Sequence, residues 1–293
     1  MSFPTETVYG LGADATNSQA VAKIFEAKSR PSFNPLIVHI SSAAQAGQFV
    51  TMNDLSAKLA ECFWPGPFTM VLPLKPGCGL SDLITAGLDT VAIRVPKNET
   101  AHELLAQFGG PIAAPSANKS GNISPTSAAH VSEEFGDNIN MIIDSGPCEK
   151  GIESTIAQVK NDEIILLRPG NITAAEIEEK TGIKVKTNIA TTESPVAPGQ
   201  LKSHYAPNSK MRLNVITPRK NEAFLAFGPC NTSENCLNLS PDADLAEAAT
   251  NLFSMMRALD HLNLKAIAVA PIPHTGLGIA INDRLERAAA PKG

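Results

Sequence analysis

Two cations one residue apart, Lys28 and Arg30, stand where a predicted helix runs into Pro31. At this spacing a lysine and an arginine could meet a triphosphate from two directions and offset the charge that grows when phosphorus is attacked. The same pair could instead complement the dipole of a helix C-terminus, and the spacing leaves both roles open. Further along, Ala113-Ala114-Pro115-Ser116-Ala117-Asn118 follows an apolar run and is built from small side chains. A ligand could approach that backbone closely, with the Ser116 hydroxyl and the Asn118 amide fixing phosphate or ribose oxygens; an ordinary polar turn after a strand fits equally well. The segment Pro4-Thr5-Glu6-Thr7-Val8-Tyr9-Gly10-Leu11-Gly12 offers hydroxyls, a carboxylate and glycines, yet it lacks a phosphate-loop lysine and is not GxGxxG. GxSxG and HExxH are both absent and the six histidines show no metal-ligand spacing, which disfavours a serine hydrolase and a zinc enzyme.

Elements must hold these residues in place. Val21, Ile24 and Phe25 recur at helical spacing, so a helix is predicted over 18–28 with Ser18 capping its start and Lys28 at its end. Short β-branched runs at 36–40, 69–74 and 91–95, each bounded by Pro or Gly, predict strands that carry His39 and Arg94. By themselves these two read as a half-buried histidine and an exposed strand residue. Helix-like patterns at 54–62, 100–108 and 127–135 alternate with them, and 141–144, 155–159 and 164–167 predict further strands. The last two leave room only for a hairpin at Asn161-Asp162, so the sheet should be mixed. Thr173 and Glu176 form a capping-box pattern and Gly182 a helix stop. Residues 1–186 are therefore expected to form one α/β domain. Residues 187–209, with Pro195, Pro198, Gly199 and Pro207 but also His204 and Tyr205, read as a linker. Residues 210–293 read as a smaller α/β domain, with strands at 212–216, 223–227 and 266–271, an amphipathic helix over 245–262 and a last helix over 279–289.

At 293 residues the chain is long for one core, which agrees with two domains. Five cysteines form no CxxC pair and no even framework, so reduced, mostly buried thiols are expected. A formal charge of -5 disfavours holding nucleic acid by bulk electrostatics and suits small anionic ligands better. The longest apolar runs are too short for a bilayer and no charged-then-apolar leader opens the chain, so the expectation is a soluble, cytoplasmic protein with no membrane partner.

Taken in order, the Pro4–Gly12 segment, Lys28-Ser29-Arg30-Pro31, Asn34-Pro35-Leu36-Ile37-Val38-His39, Trp64-Pro65-Gly66-Pro67, Ala92-Ile93-Arg94-Val95-Pro96, Ser116-Ala117-Asn118, Glu153-Ser154-Thr155 and Leu167-Arg168-Pro169-Gly170 closely resemble the YrdC-type threonylcarbamoyl-AMP synthases. Pro198-Gly199, Ser203-His204-Tyr205-Ala206-Pro207, Gly276-Leu277-Gly278 and Asn282-Asp283-Arg284-Leu285 extend the resemblance to the long form. It implies a YrdC-like twisted mixed sheet with flanking helices and a Rossmann-like α/β C-terminal domain. It also implies that L-threonine takes up bicarbonate or CO2 and that the carbamate attacks the α-phosphate of ATP, with Mg2+ sharing the charge. A separate transferase complex would pass the product to a tRNA adenosine. By resemblance, Arg30, Asn34, Thr90, Ser116, Ser124, Arg168 and Tyr205 contact ATP, with Lys28 and Asn118 beside the phosphates. Thr7, His39, Arg94, Ala114 and Ser154 surround threonine, Arg94 meeting its carboxylate. A linker closing over the site would keep water from a labile carbamate. Two departures stand out. Family members carry a further helix and the beginning of a strand ahead of the Pro4–Gly12 segment, so the expectation is a site short of one supporting wall, with an inactive truncated homologue as an alternative. Gln200-Leu201 replaces a methionine and a basic residue. Hydrogenase-maturation proteins share the domain but carry paired zinc CxxC motifs that this sequence lacks; a double-stranded RNA or tRNA-binding module, with weak RNA binding, is the rival from another class.

Overall fold

The helix predicted to carry Lys28 spans Ser18–Lys28 (α1) in the computed structural model, which describes residues 1–188, 197–230 and 234–291. Its cap differs from expectation. Asn17, in extended conformation, accepts from the backbone N–H groups of Gln19 and Ala20, because the first helical residue itself cannot reach the orphan donors of its own turn. At the other end Ser29 takes the left-handed conformation (φ 50°), so the chain turns sharply before Arg30.

Short strands at Ser2–Phe3 (β1) and Gly10–Leu11 (β2) pair antiparallel. Beside them lies an eight-stranded mixed sheet made from Ala13–Asp14 (β3), Ile37–His39 (β4), Phe68–Pro73 (β5), Thr90–Arg94 (β6), Ile112–Ala113 (β7), Thr155–Lys160 (β8), Glu163–Arg168 (β9) and Val185–Thr187 (β10). The strand order is β10-β9-β8-β5-β6-β4-β7-β3. Parallel and antiparallel pairs are both present, as the sequence predicts, and Asn161 and Asp162 have positive φ (50° and 58°), the geometry a two-residue hairpin needs. Residues 141–144 form no strand; Ile142 makes a single parallel bridge to Ser2, because only one short edge is there to pair with.

Register decides what meets what. In the parallel β4–β6 pair His39 lies opposite Arg94, so the strand ends bring the imidazole and the guanidinium side by side. The parallel β5–β8 pair sets Phe68 against Thr155, which holds the preceding Glu153-Ser154 at the same edge. β4 is buried throughout and β5 up to its last residue, Pro73, matching their apolar runs.

A second sheet, all parallel, contains Lys210–Arg212 (β11), Glu222–Ala226 (β12), Cys236–Asn238 (β13) and Ala266–Val269 (β14) in the order β11-β14-β12-β13. β13 has no equivalent in the sequence reading, and β11 ends early where Asn214 turns the chain at φ 58°. Long helices at Leu245–Asp260 and Gly278–Ala289 cover it and enclose a core around Leu252, Phe253, Ile267 and Leu285. Residues 189–196, including Pro195 of the expected linker, and 231–233 and 292–293 of the expected C-terminal domain lie outside the described residues. Only Cys148 of the five cysteines is buried; Cys62 and Cys230 are exposed, against the expectation of mostly buried thiols. Among the described residues no helix is long and apolar enough to cross a membrane.

Candidate active site

The ends of β4, β6 and β9, the entry to β8 and the loop after β7 converge on one cavity, closed over by the segment from Pro198 to Tyr205. Thr7, Arg30, His39, Arg94, Ala114, Ser116, Ser154, Arg168 and Tyr205 line it, so the structure gathers these predicted residues from positions up to 198 residues apart (205 − 7). Local geometry explains each placement. Thr5 folds the opening turn by accepting from the N–H groups of Thr7 and Val8 and donating to the Val8 carbonyl. Gly10 bridges Ser116, and Leu11 N–H donates to the Pro115 carbonyl, drawing the small-residue loop against the turn.

On one side stands Arg94, only 3% exposed. Its Nε donates to the Gly66 carbonyl (3.1 Å), Nη1 to Thr7 Oγ1 (3.0 Å), and Nη2 pairs with Glu6 Oε1 at 2.7 Å. Glu6 also accepts from the Lys97 N–H, so the pair is buried but tied in on both sides. His39 packs edge-on to Phe3 (6.1 Å), and its Nδ1 has no protein partner. Burial, then the charge of Arg94, pulls its pKa down to about 3, leaving a neutral ring at physiological pH. Ser154, which lines the cavity, shares a hydroxyl hydrogen bond with Thr69 behind it (2.8 Å).

Two more guanidinium groups line the same cavity. Arg30 is held by the carbonyls of Asn34 (3.2 Å) and Pro35 (2.8 Å), which explains why a kinked segment must follow the helix. Burial lowers its pKa to about 10, still charged at neutral pH. Arg168 donates to the Ser154 carbonyl through Nε and Nη2 (3.1 and 2.9 Å) and to the Pro198 carbonyl through Nη1 (3.4 Å). Gly199 (φ 89°) sits so close that a Cβ would lie 2.8 Å from Tyr205 Oη and 2.9 Å from Arg168 Cδ; only glycine fits there. Tyr205 holds a left-handed backbone (φ 61°), which costs a non-glycine residue roughly 1–3 kcal/mol. Its hydroxyl and the Nδ1 of His204 have no protein partner, and burial brings His204 to a pKa of about 3. Buried polar atoms left unpartnered at a cavity wall are what a polar ligand would satisfy.

Other predicted residues stand back from the cavity wall. The Lys28 side chain is fully buried and donates to the carbonyls of Ser116 (2.6 Å) and Asn118 instead of facing the cavity. Burial, then neighbouring Arg30, depresses its pKa well below the ordinary lysine value. Asn118 turns its amide nitrogen to the carbonyls of Lys119 and Asn122. Ser124 donates to Glu153 Oε1 (2.5 Å). Asn34 keeps a buried amide with no protein partner beside Arg30. Thr90 opens β6, four residues from Arg94, and about 13 Å of extended chain separates the two. Glu6, Glu153 and Arg284 have no role in the sequence reading. Glu6 and Glu153 were visible as carboxylates inside motifs, but their partners come from distant strands and from the other domain.

Comparison with known proteins agrees with this architecture. The Sua5/YciO/YrdC family model, described as telomere recombination, matches residues 1–170, and that of the threonylcarbamoyl-AMP synthase C-terminal domain matches 172–290. A Bacillus subtilis protein named threonylcarbamoyl-AMP synthase is 41% identical over 99% of this chain and 89% of its own length. One of the same name from Pyrococcus abyssi is 40% identical over 99% and 90%. The crystal structure of P. abyssi Sua5 complexed with L-threonine superposes with a TM-score of 0.90 at 38% identity, covering 98% of this chain and 89% of that one. The two matched domains in sequence, the shared fold and the full-length relatives show that the chain belongs to the two-domain branch of the threonylcarbamoyl-AMP synthase family.

Proposed function

We propose that this protein makes L-threonylcarbamoyl-AMP and pyrophosphate from L-threonine, bicarbonate or CO2, and ATP, for threonylcarbamoyl modification of a tRNA adenosine. One observation carries the reading: a single cavity is lined by Arg94, His39 and Thr7 together with Arg30 and Arg168, under a cover made by Pro198 to Tyr205. That arrangement suits a reaction joining an amino-acid carbamate to a nucleotide phosphate.

Arg94, already anchored by Glu6, Thr7 and Gly66, presents its charge to the threonine carboxylate. Neutral His39 and the Thr7 hydroxyl can hydrogen-bond the rest of the amino acid without competing for the carboxylate. A carbamate oxygen formed on the amine then attacks the α-phosphorus, and pyrophosphate leaves with the bonding pair. Arg30 and Arg168, which line the same cavity, would offset charge that accumulates on the phosphates, and groups fixed in advance avoid reorganisation during the step. Lys28 contributes by holding the carbonyls of Ser116 and Asn118, so that the loop keeps its shape; this is a positioning role. Mg2+ would arrive on the ATP phosphates and share their charge.

The covered cavity has about 50 Å³ of free volume, far below the roughly 300–1,000 Å³ of sites that hold small ligands. The Pro198–Tyr205 cover therefore withdraws to admit ATP, and closes again to exclude water. An omission experiment tests the assignment: with ATP and Mg2+, pyrophosphate should appear only when threonine and bicarbonate are both present. Release without threonine would remove the reading. The product's chemistry calls for a later transferase acting on tRNA, and the protein itself needs no tRNA site.

A further inference from the structure

Arg284, from the last helix of the C-terminal domain, is fully buried and leaves its own domain to reach the other. Nε donates to Glu153 Oε2 (2.9 Å), Nη2 to the Pro169 carbonyl (2.9 Å) and Nη1 to neighbouring Asp283 (2.6 Å). Its guanidinium carbon lies 5.2 Å from the centre of the Tyr205 ring, which also stacks on Phe253 at 5.5 Å and meets the His204 ring edge-on at 4.1 Å. Glu153 lines the cavity and spends its second oxygen on the Ser124 hydroxyl (2.5 Å). Pro169 directly follows Arg168. One side chain that does not touch the cavity thus contacts three segments that build its nucleotide side: the entry to β8, the exit of β9 and the cover.

The chemistry around it is closed. Burial alone would raise the Glu153 pKa, but Arg284, Arg168 and the Ser124 hydroxyl hold it below the ordinary carboxylate range. Burial likewise works against the charge on Arg284, and Tyr205, Glu153 and Asp283 more than reverse it. Asp283 also accepts from Arg287 Nε (3.0 Å), and Arg287 donates to the Leu201 carbonyl (2.8 Å) and accepts from the His204 N–H (3.3 Å). The same helix turn therefore grips the cover at both ends of its last five residues. A surface salt bridge would do little; a buried charge shared among three segments fixes their relative positions, since releasing any one strands a buried charge.

We propose that Arg284 is a positioning residue for the nucleotide side of the site, holding Glu153 with its Ser124 bond on one hand and the closed Tyr205 cover on the other. The C-terminal domain thereby completes the ATP site, in addition to carrying the linker. This rests on the assignment of the Arg30–Arg168 side to ATP. Arg284 makes no hydrogen bond to Thr7, His39 or Arg94, so threonine binding should be spared.

The test uses the full-length protein and two variants, Arg284→Lys, which keeps the charge but loses the three-way reach, and Glu153→Gln, which keeps shape but loses charge. Calorimetric titration with ATP and Mg2+ should show Kd raised about tenfold in each. Threonine binding should stay within about twofold, and amide exchange across 197–206 should quicken. The double variant should be no worse than the weaker single, since both break one unit. Equal loss of ATP and threonine binding would mean general damage and overturn the proposal, as would unchanged ATP affinity in Glu153→Gln, the readout that decides if Arg284→Lys does not fold. Wild-type protein that binds ATP but makes no product would sink the synthase assignment instead, while leaving the binding and exchange comparison able to decide on Arg284.

Discussion

Replacing Arg94 by lysine separates the threonine side of the site from the nucleotide side. The arginine makes three separate contacts, to the Gly66 carbonyl at 3.1 Å, Thr7 Oγ1 at 3.0 Å and Glu6 Oε1 at 2.7 Å. A lysine amine, a single point on a flexible stem, can keep the Glu6 pair but not the fork, so two hydrogen bonds to neutral groups are lost. At roughly 0.5–1.5 kcal/mol each, the stability cost is about 1–3 kcal/mol. Substrate binding loses more selectively. The directed contact to a carboxylate is a charge-assisted bond of roughly 1.5–3 kcal/mol, and at 1.4 kcal/mol per decade its loss raises the threonine KM by about 10- to 150-fold. The ATP KM should change less than about threefold, because Arg30 and Arg168 are held by other carbonyls. Initial rates of pyrophosphate release, measured against each substrate in turn, give both constants, and a thermal melt checks the fold. A threonine KM that stays put, or an ATP KM that rises in step with it, would refute the division of the cavity.

Phe3→Ala should leave a cavity beside His39 and cost roughly 3–5 kcal/mol, since Phe3 is fully buried against Leu105, Ile112 and Ala114; a melting temperature within experimental scatter of the parent would contradict that. Lys28→Met should strand two buried carbonyls at roughly 1–3 kcal/mol each and lower kcat at least tenfold by loosening the Ser116–Asn118 loop; full kcat would remove the positioning role. His39 and His204 both have folded pKa values near 3, below the ordinary histidine value of 6.5. Their neutral burial thus adds stability that is complete above pH 6.5 and drains away as pH falls toward about 3, because the unfolded chain takes up the protons first. Denaturant unfolding across that window should show the slope, and His204→Asn should flatten part of it. Gly199→Ala should collide with Tyr205 and Arg168, raising the ATP KM while leaving the isolated melting transition cooperative; wild-type kinetics would show the cover has more room than the 2.8 Å approach allows.

Local signals were readable where one segment decides its own conformation. The span of α1, the hairpin at Asn161-Asp162 and the Thr173–Glu176 capping box with Gly182 behind it all follow from neighbours within a few residues. Parallel register is different. That His39 meets Arg94 depends on pairing across some fifty residues (94 − 39 = 55), which the β-branched runs predict as strands but not as partners. Side-chain direction was less legible still: Lys28 and Arg30 look interchangeable in sequence, yet the left-handed turn at Ser29 sends one to the loop carbonyls and the other to the cavity. Residues 141–144 have a strand's composition without an edge long enough to pair with. Arg284 stands inside a motif that carries the family resemblance, but its role was not legible, because its partner Glu153 is 131 residues away and nothing local pairs the two.

Direct detection of the adduct tests the central claim. Incubated with ATP, Mg2+, L-threonine and isotopically labelled bicarbonate, then resolved rapidly by mass spectrometry, the protein should form threonylcarbamoyl-AMP carrying one labelled carbon, with AMP and carbamate parts in equal amounts. AMP or ADP formed without that adduct, or an adduct lacking the label, would contradict the account.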